Sequence, residues 1–164
     1  MRTPLARLAG VTAGATYLLV VLGAIVRATG SGLGCPDWPT CHGNWLPPLE
    51  RAALIEYSHR TLAALVGVMV VAVVALAWRS RGEDRRSWWL SLTAMGLLLV
   101  QAWLGRQVVI TELSAPLVGV HLGTAMALLA VMLIVALPDA KPESDPSLAA
   151  RMWLGAGAVL VVIL

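Results

Sequence analysis

Four stretches of this chain, residues 8–26, 55–78, 88–107 and 116–137, are apolar for about the length of a membrane span. A span needs roughly 20 apolar residues to cross a hydrocarbon core about 30 Å thick. Inside that core each backbone N–H and C=O must find its partner within the protein, which leaves helices or closed barrels. Charged residues make up 13% of the chain and hydrophobic ones 59%, against about 25% charged in a soluble domain. The expectation is an all-α integral membrane protein, a four-transmembrane-helix bundle over residues 1–137 with a long outer loop at 27–54. A fifth apolar stretch, 152–164, is about 13 residues long and too short to cross. It reads as the start of a fifth helix cut off at Leu164. A polar, proline-bearing linker at 138–151, with Pro138, Pro142 and Pro146, precedes it and reads as cytoplasmic.

Basic residues orient the bundle. Arg79, Arg81, Arg85 and Arg86 crowd one short loop, and Arg2 and Arg7 precede the first stretch. The positive-inside rule places both in the cytoplasm and turns segments 27–54 and 108–115 outward. The protein is thus expected to be multi-pass in a bacterial-type cell membrane, with membrane lipid as its surroundings. The first stretch is long and lacks a small-residue cleavage pattern, so it reads as a retained helix rather than a signal peptide. The net charge of +3 is this orientation signal, and no nucleic-acid motif accompanies it.

Two of the three histidines, His59 and His121, fall inside apolar stretches, each about a turn and a half from the same outer face. An ionisable residue within a span is costly and marks a functional site by default. Two at matched depth on even-numbered helices read as two axial ligands of one metal group, and haem is the group that helix bundles hold this way. The plainer alternative is two unrelated polar residues bonding to helix neighbours. Glu56 lies three residues before His59 and shares its helix face. A carboxylate there could take a proton, stabilise positive charge or fix the imidazole tautomer; it could also be a helix-start residue favoured by the dipole. Arg60, one residue beyond His59, is expected to point elsewhere.

Arg27, Arg60 and Arg106 lie near the outer boundary. They suit haem propionates through bidentate hydrogen bonding, or they snorkel to lipid headgroups. Gln101 and Gln107 are weaker polar candidates, and Glu112 reads as solvated loop. Gly119 and Gly123 flank His121 in a small-xxx-small pair, which serves close helix packing or admits a flat macrocycle. Cys35 and Cys41 have five residues between them, including Pro36 and Pro39, on the side where disulfides persist. Three readings stay open: a structural staple, a redox-active pair, or a metal site with His42 that lacks a fourth ligand. Trp38 and Trp45 read as interfacial anchors.

Taken together, the stretch Arg27-Ala28-Thr29-Gly30-Ser31-Gly32-Leu33-Gly34-Cys35-Pro36-Asp37-Trp38-Pro39-Thr40-Cys41, then Glu56-Tyr57-Ser58-His59-Arg60, resembles haem A synthase. So do Leu104-Gly105-Arg106-Gln107-Val108-Val109-Ile110-Thr111-Glu112-Leu113 and Val120-His121-Leu122. The resemblance covers all four helices. It implies an oxidoreductase that converts the ring methyl of haem O to a formyl group, giving haem A for cytochrome oxidase. It further implies that this N-terminal bundle holds haem O between His59 and His121, with Glu56 as the catalytic carboxylate and Cys35 and Cys41 as the outer-loop pair. Members are about twice this long, and a second bundle holds haem b on its own histidine pair. A fragment is therefore expected, with a half-length homo-oligomer as the alternative. The partners implied are haem O synthase and the cytochrome oxidase assembly machinery. Competing with an enzyme are a bis-histidine electron-transfer module and a haem carrier without substrate chemistry.

Overall fold

A computed structural model describes residues 4–137. Arg2, the linker at 138–151 and the fifth apolar stretch at 152–164 lie outside the described residues. Four helices follow in order: α1 (Pro4–Ala28), α2 (Arg51–Arg79), α3 (Arg85–Ile110) and α4 (Ala115–Ala136). Even the shortest, α4 at 22 residues, extends about 33 Å at 1.5 Å per residue, enough to span. All four are apolar enough to cross a membrane, and the only β pairing among the described residues is one isolated bridge, Cys41 to Asn44. The expected all-α membrane bundle is what forms.

Three of the helices, α1, α2 and α3, overrun the apolar stretches that announce them, while α4 matches its own to within a residue. The clearest case is α2, which begins at Arg51 rather than near Ile55. A helix in lipid continues past the hydrocarbon boundary, so hydrophobicity marks the span and not the helix end. The start of α3 carries its own signal: the Asp84 side chain accepts a hydrogen bond from the Ser87 N–H at 2.8 Å, satisfying an orphan donor of the first turn. Pro116 in the first turn of α4 sits where a missing N–H costs nothing.

Each helix packs on its two sequence neighbours, and α4 closes the ring against α1. The diagonal pairs, α1 with α3 and α2 with α4, do not touch backbone to backbone. Burial is lopsided along the axis. The core comprises Leu5, Ala9 and Ala13 of α1, Val66, Val70, Val73 and Ala77 of α2, Ala94 of α3, and Leu128, Leu129, Met132, Val135 and Ala136 of α4. All lie in the half that ends in the turn at 80–84. Small and β-branched side chains dominate it, which lets the backbones approach closely. Thr12, Thr16 and Ser91 are buried there without penalty, because each hydroxyl donates to the carbonyl four residues back at 2.7–2.8 Å. Outward-facing Val11, Val68 and Leu99 are more than 60% exposed, as a lipid-facing surface requires.

Candidate functional site

The other half of the bundle, at the end carrying loop 29–50, is packed differently. Its buried helix residues are Val26, Ala53, Glu56, Leu104 and Val109, and α4 buries none before Leu128. His59 lies eight residues into α2 and His121 six residues into α4, about 12 and 9 Å from the helix starts. The two imidazoles therefore occupy one layer, on helices that face each other across the diagonal.

A glycine on the preceding helix makes room for each ring. A Cβ on Gly23 of α1 would meet His59 Cε1 at 3.1 Å, and one on Gly105 of α3 would meet His121 Cε1 at 3.5 Å. Around Gly119 and Gly123 a Cβ would meet nothing within 4 Å. In both histidines Nδ1 is buried and has no hydrogen-bond partner among the described residues. A buried polar atom left unpaired costs about 1–3 kcal/mol, and an uncommitted imidazole nitrogen is what a metal ligand supplies. The pair, the unpaired nitrogens and the glycine-lined space fit a haem. Among the described residues no group of three or more His, Cys, Asp and Glu could hold a bare metal ion.

Glu56, one turn from His59, is 6% exposed. Its Oε1 accepts from Arg60 Nε at 2.9 Å. This corrects the sequence reading that Arg60 points elsewhere: residues four apart share a helix face, and the pair closes along α2. The same guanidinium reaches out of the helix. Nη1 donates to the carbonyls of Asp37 at 2.7 Å and Thr40 at 2.9 Å, and Nη2 donates to the carbonyl of Cys35 at 2.8 Å. No partner for the second carboxylate oxygen, Oε2, is found among the described residues.

Arg60 thereby docks a compact loop. The Cys35 and Cys41 sulfurs are bonded, with Cα atoms 4.6 Å apart, so neither thiolate is left to bind a metal. His42 Nε2 instead contacts the Gly34 carbonyl at 3.0 Å. Inside the loop the Asp37 carboxylate accepts from the Thr40 hydroxyl and from the N–H groups of His42 at 2.6 Å and Gly43 at 2.8 Å. Those bonds, the Thr40 hydroxyl foremost, hold its pKa down to about 2. Gly34 presses on α2 so closely that a Cβ would lie 2.3 Å from the Ala52 carbonyl oxygen. The Tyr57 hydroxyl donates to the Trp45 carbonyl. Leu113, in the left-handed region at φ 64°, plugs against Gly32 and ties the α3–α4 turn to the same loop.

The remaining candidates are placed as follows. Arg27 and Arg106 are exposed at the loop ends of α1 and α3 and have no hydrogen-bond partner among the described residues. Gln101 is structural: its Nε2 donates to the His121 carbonyl at 3.0 Å and to the Thr124 hydroxyl, pinning α3 to α4 beside the histidine. Gln107 is half-buried, and Glu112 is exposed in the turn, as expected. Sequence reasoning gave Gly23, Gly105, Asp37 and Tyr57 no role in the site. Only the glycines carried a signal, since both sit at the depth of the histidines on the neighbouring helices.

Residues 6–164 match the cytochrome oxidase assembly protein family. Over 140 residues the chain is 33% identical to a haem A synthase of Bacillus licheniformis, covering 82% of this chain and 46% of that protein. A haem A synthase of Bacillus pumilus is 33% identical over 139 residues, 84% of this chain and 45% of its own length. A protoheme IX farnesyltransferase of Halobacterium salinarum is 35% identical over 139 residues, 85% of this chain but 31% of that protein. The chain thus spans about half the length, or less, of these relatives. With a family match over nearly its whole length, it belongs to the haem A synthase family of cytochrome oxidase assembly proteins.

Proposed function

We propose that this chain is the four-helix unit of a haem A synthase that holds haem O and carries out oxidation of its ring methyl to a formyl group. The observation that carries the reading is the histidine pair: two imidazoles at matched depth on the diagonally placed α2 and α4, each with a buried and uncommitted Nδ1. His59 and His121 would hold the haem iron, and Gly23, Gly105, Gly119 and Gly123 would leave room for the macrocycle. Arg27 and Arg106, unpaired at the same end, serve the propionates. The Arg60 guanidinium is largely occupied by Glu56 and the loop, so its share in propionate binding is confined to the one Nη2 hydrogen left over.

Bound haem O supplies the methyl group to be oxidised and the iron that the imidazoles ligate. Written with water as the oxygen source, taking a methyl to a formyl group removes four electrons and releases four protons. Glu56 answers two of those needs. Its negative charge, fixed in a buried setting before reaction begins, stabilises positive charge developing at the methyl carbon. Its free oxygen, Oε2, accepts a proton as that carbon is oxidised. The histidines would hold the haem beside this carboxylate, which lies a single turn from His59 on the same helix.

The positive-inside rule places the loop at 29–50 outside the membrane and the turn at 80–84 in the cytoplasm. Outside the membrane the Cys35–Cys41 bond persists in an oxidising compartment. A haem b, a second histidine pair and the electron acceptor belong to another four-helix unit, or to a second copy of this chain. Haem O synthase is the expected supplier of substrate. The Halobacterium relative supports this link, because a region like this chain accounts for about a third of a protein named for haem farnesylation. The oxidase assembly machinery is the expected recipient of product.

Glu56→Gln, produced in a host that makes haem O, tests the reading. The bound haem is expected to stay near the parent level, while hydroxymethyl and formyl haems disappear from its mass spectrum. Undiminished haem A in that variant would overturn the catalytic assignment and leave a haem carrier.

A further inference from the structure

Among the described residues, Arg60 is the one side chain that hydrogen-bonds both Glu56 and the disulfide loop. Four hydrogen bonds leave its guanidinium. One goes inward, to Glu56 Oε1 at 2.9 Å. Three go outward, to the carbonyls of Cys35, Asp37 and Thr40 at 2.7–2.9 Å. The three carbonyls converge because the Cys35–Cys41 bond closes the segment and because the Asp37 carboxylate gathers Thr40, His42 and Gly43 on its other side. The Arg60 side chain is 13% exposed and the Glu56 side chain 7%, so the pair is shielded from the solvent screening that weakens surface ion pairs.

We propose that Arg60 is a positioning residue: it bolts the Glu56 carboxylate to the carbonyls of the disulfide-closed loop, so that the fold of the loop sets where the carboxylate sits. A planar guanidinium suits this task, since its donors leave in fixed directions. With Nε fixing Oε1, Oε2 is the oxygen turned free for chemistry. The loop is then part of the reaction apparatus without touching substrate. Its disulfide acts through geometry, by presenting three acceptors that hold the arginine in place. The proposal rests on Glu56 being the working carboxylate.

The test combines infrared spectroscopy with turnover in the intact membrane protein. The Glu56 carboxylate band is first identified by its absence in Glu56→Gln. In Arg60→Gln, and separately in the double variant Cys35→Ser with Cys41→Ser, that band is expected to move. Arg81→Gln, at the opposite end of the bundle, should leave it in place. Haem oxidation should fall about ten- to a hundredfold in Arg60→Gln, the scale of one charged hydrogen bond, and Arg60→Lys should restore little, since one ammonium cannot span four acceptors. Should Arg60→Gln fail to accumulate, Arg60→Lys and the cysteine variant carry the same measurement. A Glu56 band unmoved in these variants would overturn the positioning role. A band that moves while Glu56→Gln still makes haem A would overturn the catalytic reading and leave the positioning role intact.

Discussion

At the scale of single residues, the site is built from absences of side chain as much as from side chains. Gly23 and Gly105 each face an imidazole, but at different clearances. A methyl group at Gly23 would lie 3.1 Å from His59, tighter than ordinary contact, whereas at Gly105 it would lie 3.5 Å from His121. Gly23→Ala is therefore expected to shift the haem absorption spectrum and weaken retention through purification, and Gly105→Ala to do so much less; equal effects would count against the imidazole placement. Gly34→Ala meets backbone rather than a movable side chain, at 2.3 Å from the Ala52 oxygen. Overpacking of this kind costs about 1–3 kcal/mol, to be read as a lower unfolding temperature in detergent. The histidine pair and Glu56 were legible in the sequence, because ionisable residues inside apolar stretches stand out. The Glu56–Arg60 pair was legible too, by the four-residue rule, but the expectation followed Arg60's neighbour in sequence and missed its neighbour on the helix. The three loop carbonyls that Arg60 finds were not legible, since backbone acceptors carry no mark of residue type.

At the scale of elements, hydropathy located all four helices and placed α4 to within a residue, but started α1, α2 and α3 late, for the reason seen at Arg51: a helix can outlast its apolar stretch. What holds neighbours together is a small number of polar bonds set in apolar packing. Gln101 of α3 grips the His121 carbonyl and Thr124 of α4. Gln101→Leu should cost about 0.6 kcal/mol, and no more than about 1.7, the range for hydrogen bonds between membrane helices. Because the bond lands on the backbone of His121, the proposed haem ligand, the haem spectrum should broaden along with any loss of stability. The loop between α1 and α2 depends on the ionised Asp37. Its folded pKa of about 2 lies below the usual 3.8, so whatever order it confers is complete above about pH 4 and lost as pH falls through 2. Protease resistance of segment 35–44 should accordingly be flat from pH 8 to near 4. In Asp37→Asn it should be lower at every pH, and a parent loop already loosening at pH 6 would contradict the assignment.

At the scale of the whole molecule, the bundle divides along its axis. One half is close-packed around Val66, Val70, Val73 and Met132, and the other keeps the histidine layer under a docked loop. Two unlike halves suit a rigid holder with a receptive end, and the packed half should bear the larger share of stability. Met132→Ala, deep in that half and fully buried, is expected to cost about 2–5 kcal/mol while leaving the kind of haem bound unchanged. The fold class followed from composition and span length alone. The lopsided burial did not, because small and β-branched residues populate both ends of the helices and only the tertiary contacts separate them.

The histidine pair is the claim on which the account stands, and bound haem measures it most directly. The parent protein and the double variant His59→Ala with His121→Ala would be produced in a host that makes haem O, purified, and analysed for haem by chromatography and mass spectrometry, with helical content checked by circular dichroism. The account predicts haem O or its oxidised products in the parent, and loss of that haem from a double variant that is still helical. Haem content unchanged by removing both imidazoles would contradict it.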